Sequence, residues 1–265
     1  MKSFFRMSYP YILWIAVFIV APMVMILLYA LTRGGNNTLT FHFTLENFGR
    51  FFSDPDFMRV LWTSLRIAFI TTVCCILIGY PAALFIANLS ERKQTLMILL
   101  MTLPMWINML LKTYAWRGIL MNFDDMGSEI KVFIGMVYDF LPYMIIQIHT
   151  AIAKLDPNLL VAASDLGANR WKAFAKVTLP LSVPGVVSGI TMVFMPAVTT
   201  FYISRLLGGG KVTLFGDLIE AKFLATNLNE WNVGSALSLL MMILILLSLG
   251  LLQKVDPEGE GGGLV

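Results

Sequence analysis

Long uninterrupted runs of apolar residues dominate the hydrophobic pattern of this chain. A bilayer-spanning helix needs about 20 apolar residues, and six runs have about that length, one of them interrupted only by Asp139. Strands of a membrane barrel would be about 10 residues long with strict alternation, which these runs lack. The pattern predicts an all-α, polytopic membrane protein. We expect one transmembrane domain over 1–255, with six helices at about 7–32, 62–90, 94–116, 132–153, 177–204 and 231–253.

Composition and charge agree with this interpretation. Apolar residues make up 58% of the 265 residues and charged residues 13%, whereas about a quarter of the residues in soluble domains are charged. The net charge of +3 is too modest for a nucleic-acid-binding arm. Cys74 and Cys75 are neighbours inside the second run, so we predict packing residues and no disulfide framework. The acidic, glycine-rich tail over 256–265 is predicted to be flexible.

The distribution of basic residues predicts the orientation. Six spans place both termini on one side of the membrane. Basic residues in the tight turn at 90–94 and in the segment 154–178 lie close to predicted membrane ends, where the positive-inside rule counts them. We therefore expect cytoplasmic termini.

The polar segment 154–178 stands between the fourth and fifth runs and is predicted to form a helix, a sharp turn and a second helix. Asp156 can cap the first helix, with Pro157 at its first position, and Gly167 can end it. Asn169 can cap the second helix, before Pro180 opens the fifth span. Leu160, Ala163 and Gly167 share one face, where small groups allow another protein to approach closely. A solvated linker is the alternative.

The spacing within this segment resembles a family signature. Ala162 and Ala163, three residues, Gly167, nine residues, Val177, one residue, then Leu179-Pro180 resemble the Glu-Ala-Ala motif of binding-protein-dependent ABC importer permeases, with Val161 in place of the Glu. The resemblance implies the type I ABC importer permease fold, in which this loop is the coupling helix that seats in a groove of the ATPase subunit. The implied contact residues are Leu160, Val161, Ala162, Ala163, Asp165, Leu166, Gly167, Ala168 and Arg170.

The resemblance extends over nearly the whole chain. The segments 43–52, 103–120, 137–168 and 195–224 resemble those of the spermidine/putrescine importer permeases of the PotB type. The resemblance implies a subunit of the bacterial inner membrane that forms half of a polyamine pathway. The implied partners are a homologous permease as heterodimer, two copies of an ABC ATPase and an external polyamine-binding protein, with a homodimer left open. No cofactor is expected in this chain, since ATP and Mg²⁺ belong to the ATPase. The alternatives are an importer of a metal ion, an oxyanion or a sugar, or an ATP-independent channel or carrier.

Asp139 is the only acidic residue inside a predicted span. Ionisable groups at such depth usually mark a pathway, while the alternative is a structural pair with Arg66 or Lys112. Aromatic faces near a carboxylate suit a polyammonium ion, because cation–π attraction holds charge without trapping it. The candidate pathway residues are Asp139, Tyr138, Tyr143, Trp106, Tyr114, Trp116, Phe201 and Tyr202.

Other motifs do not indicate catalysis or metal binding. The run from Gly208 to Lys211 lacks the Gly and the Ser or Thr that a phosphate loop requires, since Arg205 and Val212 stand at those positions. His42 and His149 have no ligand-like partners at metal spacing. We therefore predict a transporter subunit and not an enzyme.

Overall fold

Helices account for nearly all of the structure, a computed structural model that describes residues 2–33, 42–123 and 125–255. Within these residues the only β-type pairing is an isolated bridge between Thr32 and Phe43, so the all-α prediction is confirmed. The helices are α1 (Lys2–Ile15), α2 (Ala21–Ala30), α3 (Glu46–Ser53), α4 (Pro55–Ala87), α5 (Glu91–Trp106), α6 (Met109–Leu120), α7 (Ser128–Ala153), α8 (Pro157–Asp165), α9 (Arg170–Ala173), α10 (Leu179–Thr199), α11 (Tyr202–Leu207), α12 (Phe215–Leu224) and α13 (Leu228–Val255). The predicted tail at 256–265 lies outside the described residues.

Among the described residues, five helical stretches are long and apolar enough to cross a membrane, and a sixth span results if the bent pair of α5 and α6 counts as one. The five stretches are Tyr9–Ala30, Pro55–Ala87, Ser128–Ala153, Arg170–Thr199 and Asn229–Leu252. The second stretch begins at Pro55 and not at the predicted residue 62, because the first turn of α4 precedes the apolar run and includes the charged residue Asp56.

The third predicted span is not one straight helix, which corrects the expectation over 94–116. Helices α5 and α6 meet at an angle of 91°. Ile107 is extended, and the Asn108 side chain accepts a hydrogen bond from the Leu110 amide, capping α6. A new helix therefore starts where a continuous apolar run suggested one span.

The fifth span also differs from its prediction. Pro180 does not open it, because helix runs without a break from Arg170 to Thr199. The π-helical segment Phe174–Thr178 lies between α9 and α10, and the Leu179 amide donates to the Phe174 carbonyl, five residues back. This wider turn stands directly before Pro180, which has no N–H for a regular bond. The span ends at Thr199 because Thr200 and Phe201 are not helical.

One compact unit comprises the described residues of 1–60 and 216–245. Helices α1 and α2 are joined by the π-helical segment Ala16–Val20. The last carbonyls of α2 lack helical partners and are satisfied by two buried amides. Asn47 donates to the carbonyls of Ala30 and Thr32, and Asn232 donates to those of Tyr29 and Thr32, at 2.7 to 2.9 Å.

The other unit comprises 61–215 and the described residues from 246 onward. Its core is the close packing of α7 on α10, where Gly185 meets Ala151 and the Gln147 carbonyl, and Gly189 meets Met144. A Cβ atom at Gly185 would overlap Ala151, so glycine is what allows the two backbones to approach. The candidate site lies entirely within this unit.

Candidate functional site

Asp139 lies at the centre of a buried polar cluster on α7. Its Oδ1 atom is 2.7 Å from Nζ of Lys112, and the two side chains are only 6% and 11% exposed. The hydroxyl of Tyr202 donates to Asp139 Oδ2 at 2.8 Å. The carboxylate is therefore not isolated, and of its two predicted partners the structure selects Lys112.

Arg66, the other predicted partner, binds elsewhere. Its guanidinium lies 2.7 Å from Glu129 at the start of α7, and these side chains are 46% and 56% exposed. Water competes strongly for such a pair, whereas the pair of Lys112 and Asp139 is shielded. Helix α7 thus takes part in one exposed ion pair, through Glu129, and in one buried ion pair, through Asp139.

Local breaks in the helices position the cluster. Lys112 lies in the first turn of α6, directly after the 91° bend, and its amide donates to the carbonyl of Asn108 at 3.2 Å. Tyr202 is the first residue of α11, directly after the break that ends α10. On α7, Pro142 has no N–H for the Tyr138 carbonyl, which weakens the helix beside Asp139. Each side chain therefore sits next to a point where the backbone departs from regular helix.

A cavity of about 350 Å³ opens beside the ion pair, room for about ten waters at ~30 Å³ each. Four of the predicted pathway residues line it: Trp106, Asp139, Tyr143 and Tyr202. Two further lining residues are Asn108, which the sequence also placed near the pathway, and Lys112, a predicted partner of Asp139. The sequence had not assigned the remaining lining residues, Met105, Ile107, Met109 and Phe140. Apolar residues in a span carry no pattern that separates a cavity wall from a lipid-facing surface. The ion pair itself was open to prediction, because Arg66 and Lys112 are the only two cations inside the predicted spans.

The other predicted aromatic residues do not line this cavity. Tyr138 packs edge-on against Trp116, with 5.1 Å between ring centroids. Tyr114 is more than half exposed. Phe201 contacts the ring of Tyr202 from outside the cavity lining, at 6.2 Å. Tyr138 therefore contacts Trp116 and not the cavity that Asp139 lines.

The polar segment forms the predicted helix, turn and helix. Asp156 accepts a hydrogen bond from the Asn158 amide at 2.9 Å, and Asn169 accepts one from the Lys172 amide at 2.8 Å. Gly167 has φ +76°, the left-handed conformation of a glycine helix end. These caps and the turn at Gly167 separate α8 from α9, but α9 is not the separate short helix that was predicted, because it continues through the π-helical segment into α10.

Several large apolar side chains of this segment are exposed, among charged residues such as Asp165 and Lys172 that are exposed as well. Val161, Leu166 and Trp171 are 58%, 89% and 79% exposed. Leu160, which is 43% exposed, also lines a cavity of about 1030 Å³ behind α8, together with Ser164 and Ala168. On the face that helical spacing suggested, Leu160 and Gly167 are exposed and Ala163 is half-buried. Exposed apolar groups of this size are typical of protein contact surfaces.

A row of contacts connects the polar segment to the core of the unit. The ring of Trp171 packs edge-on against Phe174, with 6.3 Å between centroids, and Phe174 packs edge-on against Tyr80 at 5.8 Å. The hydroxyls of Tyr80 and Ser182 are hydrogen-bonded at 2.6 Å. Tyr80 lies on α4 and Ser182 on α10, so the second short helix is in contact with two spans through two rings.

Comparison with known proteins gives matches over most of the chain. Residues 76–257 match the family described as binding-protein-dependent transport system inner membrane component. The spermidine/putrescine transport system permease protein PotB of Haemophilus influenzae is 39% identical over 88% of this chain and 87% of its own length. The protein of the same name from Escherichia coli is 35% identical, over 88% and 90%.

Solved structures show the same fold. A chain of a bacterial ABC transporter involved in the import of the acidic polysaccharide alginate superposes with a TM-score of 0.74, covering 96% of each chain at 15% identity. A chain of the MetNI methionine ABC transporter in an inward-facing conformation gives a TM-score of 0.60, covering 76% of this chain and 95% of its own, at 16% identity.

Proposed function

Because the chain belongs to the family of binding-protein-dependent transport system inner membrane components, we propose that it is the permease subunit of an ATP-driven polyamine importer. The observation that carries the proposal is the Asp139 carboxylate at the wall of a cavity that Trp106, Tyr143 and Tyr202 also line. A buried carboxylate attracts an ammonium group, and aromatic rings stabilise further charge along an alkyl chain. The identity of 35% to 39% with two spermidine/putrescine permeases supports this substrate class.

The chain is a multi-pass inner membrane protein that works with other subunits. We propose a heterodimer with a homologous permease, because one chain of five or six spans encloses little of a pathway. Two ATPase copies bind on the cytoplasmic side and an external polyamine-binding protein delivers substrate. In this assembly both termini are cytoplasmic, and ATP hydrolysis is the task of the ATPase.

Helices α8 and α9 are proposed to bind the ATPase. The exposed residues Val161, Leu166 and Trp171 provide an apolar contact surface of the kind that a groove on the ATPase can cover. Movement of α9 is transmitted to α4 and α10 through the rings of Phe174 and Tyr80. ATP binding in the partner then shifts the pathway between outward-facing and inward-facing states.

A substrate panel tests the proposed function. The complex is purified with its partner subunits, placed in nanodiscs with the binding protein, and assayed for ATP hydrolysis. We expect stimulation by spermidine or putrescine, and none by divalent metal ions, oxyanions or sugars. Stimulation by one of these other solutes alone would refute polyamine import.

A further inference from the structure

The cation that neutralises Asp139 is a primary ammonium on a four-carbon chain. The Lys112 side chain is, in its chemistry, one end of an alkane diamine that the protein carries itself. Its Nζ atom lies 2.7 Å from Asp139 Oδ1, and both residues line the same cavity. A diamine entering this cavity would present the same group to the same carboxylate.

We infer that Lys112 occupies the subsite for a substrate ammonium on Asp139 and is exchanged for that ammonium when a polyamine enters. The inference rests on the proposed function, because it deepens the same site. Exchange keeps one cation on the carboxylate before and after substrate binding. The low exposure of the pair makes this necessary, since an uncompensated charge in such surroundings is costly.

The backbone around Lys112 allows the exchange. Lys112 is carried by α6, which is joined to α5 only through Ile107 and Asn108 at the 91° bend. Asp139 is on α7, and Tyr202, on α11, holds the second carboxylate oxygen. Because Lys112 and Tyr202 are carried by different helices, we expect the lysine to leave the carboxylate while the tyrosine keeps its hydrogen bond.

The cavity also explains why a substrate with two ammonium groups is expected to bind more tightly than a monoamine. A monoamine that displaced Lys112 would gain one ion pair and lose an equal one. The second ammonium of a diamine can approach the aromatic rings of Trp106 and Tyr143, which line the same cavity, and gain a cation–π attraction that Lys112 cannot supply. Lys112 is thus a specificity-determining residue that excludes monoamines and metal cations from Asp139.

Equilibrium binding of labelled putrescine to the assembled complex in nanodiscs, without the binding protein, tests the exchange. Lys112→Met removes the competing ammonium at similar length, so putrescine should bind about tenfold more tightly. Butylammonium should then displace the label from the variant, and it should not displace the label from the wild type. Lys112→Met combined with Asp139→Asn should lose the gain, because no carboxylate remains.

Lys112→Arg keeps the charge and provides a second variant if Lys112→Met assembles poorly. A guanidinium binds a carboxylate through two parallel hydrogen bonds, so putrescine binding should weaken about threefold. Unchanged putrescine affinity in Lys112→Arg, or unchanged affinity and butylammonium sensitivity in Lys112→Met, overturns the exchange. If the wild-type complex is not stimulated by polyamines at all, the proposed function itself fails instead.

Discussion

At the scale of single residues, substitutions of Asp139 can show whether its buried ion pair has a role in transport or only in stability. Lys112 and Tyr202 lie at hydrogen-bonding distance from the Asp139 carboxylate, and the Lys112 and Asp139 side chains are largely buried. Removing one partner of a buried ion pair costs about 3–5 kcal/mol because the other charge stays behind. A single substitution therefore mixes a loss of stability with a loss of function, and a neutral double substitution separates the two.

Asp139→Asn is expected to lower both the yield of assembled complex and polyamine uptake, since Lys112 is left unpaired. Lys112→Met with Asp139→Asn should restore the yield, because no unpaired charge remains, while uptake per complex stays at least about tenfold below the wild type. Yield is measured by size-exclusion chromatography and uptake in proteoliposomes. Glu129→Gln, which breaks the exposed pair with Arg66, is the matched control and should change little. Wild-type uptake by the double variant would make the pair purely structural.

The sequence allowed a candidate site residue to be identified where its residue type is rare in a membrane span. Asp139 is a charge in an apolar run, so its importance and its two possible partners followed directly. The rings of Trp106, Tyr143 and Tyr202 were predicted to surround it and line the cavity. Tyr138 and Trp116 were predicted with them but pack against each other. Composition cannot distinguish these cases, because the direction of a side chain depends on helix rotation.

At the scale of helices, two features depended on local geometry that hydropathy does not report. Helix α5 ends and α6 begins within an apolar run, because Asn108 caps a new helix. The helix from Arg170 to Thr199 continues through Pro180 because a π-helical segment precedes the proline. The caps of α8 and α9 were predictable, since Asp156, Gly167 and Asn169 are residue types with strong positional preferences.

Gly185→Ala is expected to destabilise the packing of α7 on α10. The added Cβ would overlap Ala151 and lie 2.8 Å from the Gln147 carbonyl oxygen, and overpacking of this kind costs about 1–3 kcal/mol. The apparent melting temperature of the complex in detergent should fall. Gly118→Ala on α6 is the control, because nothing lies within 4 Å of its Cβ position. A Gly185→Ala complex as stable as the wild type would contradict the described packing.

Gly167→Ala is expected to impair coupling between α8 and α9. Its φ of +76° costs alanine about 1–2 kcal/mol of backbone strain, although the site has space for a side chain. The ratio of substrate transported to ATP hydrolysed should therefore fall. Gly167→Asn should retain more coupling, since Asn adopts this conformation more readily. Equal ratios in wild type and Gly167→Ala would show that the turn is not part of the coupling.

At the scale of the whole molecule, the fold class followed from hydropathy, because a bilayer permits so few spanning structures. The number and orientation of the spans are less directly encoded. The number of basic residues differs only slightly between the two sides of the predicted membrane. The bent pair of α5 and α6 shows that one apolar run can contain two helices. Assembly depends on surfaces of other chains, which this sequence does not contain.

The predicted topology places Ala168 in the cytoplasm and Gly127, between α6 and α7, outside. A variant with Ala168→Cys and with Cys74 and Cys75 replaced by alanine should not react with a membrane-impermeant thiol reagent applied to the periplasmic side. Gly127→Cys in the same background, at an exposed position, is the reactive control. The reverse labelling pattern would invert the topology.

The most direct test of the account is uptake of labelled spermidine and putrescine into proteoliposomes that contain the purified complex. We predict accumulation that requires ATP on the ATPase side and the binding protein on the other, and that is lost in the double variant of Lys112→Met with Asp139→Asn. Polyamine flux that proceeds without ATP, or accumulation of a different solute in place of polyamines, would contradict the account.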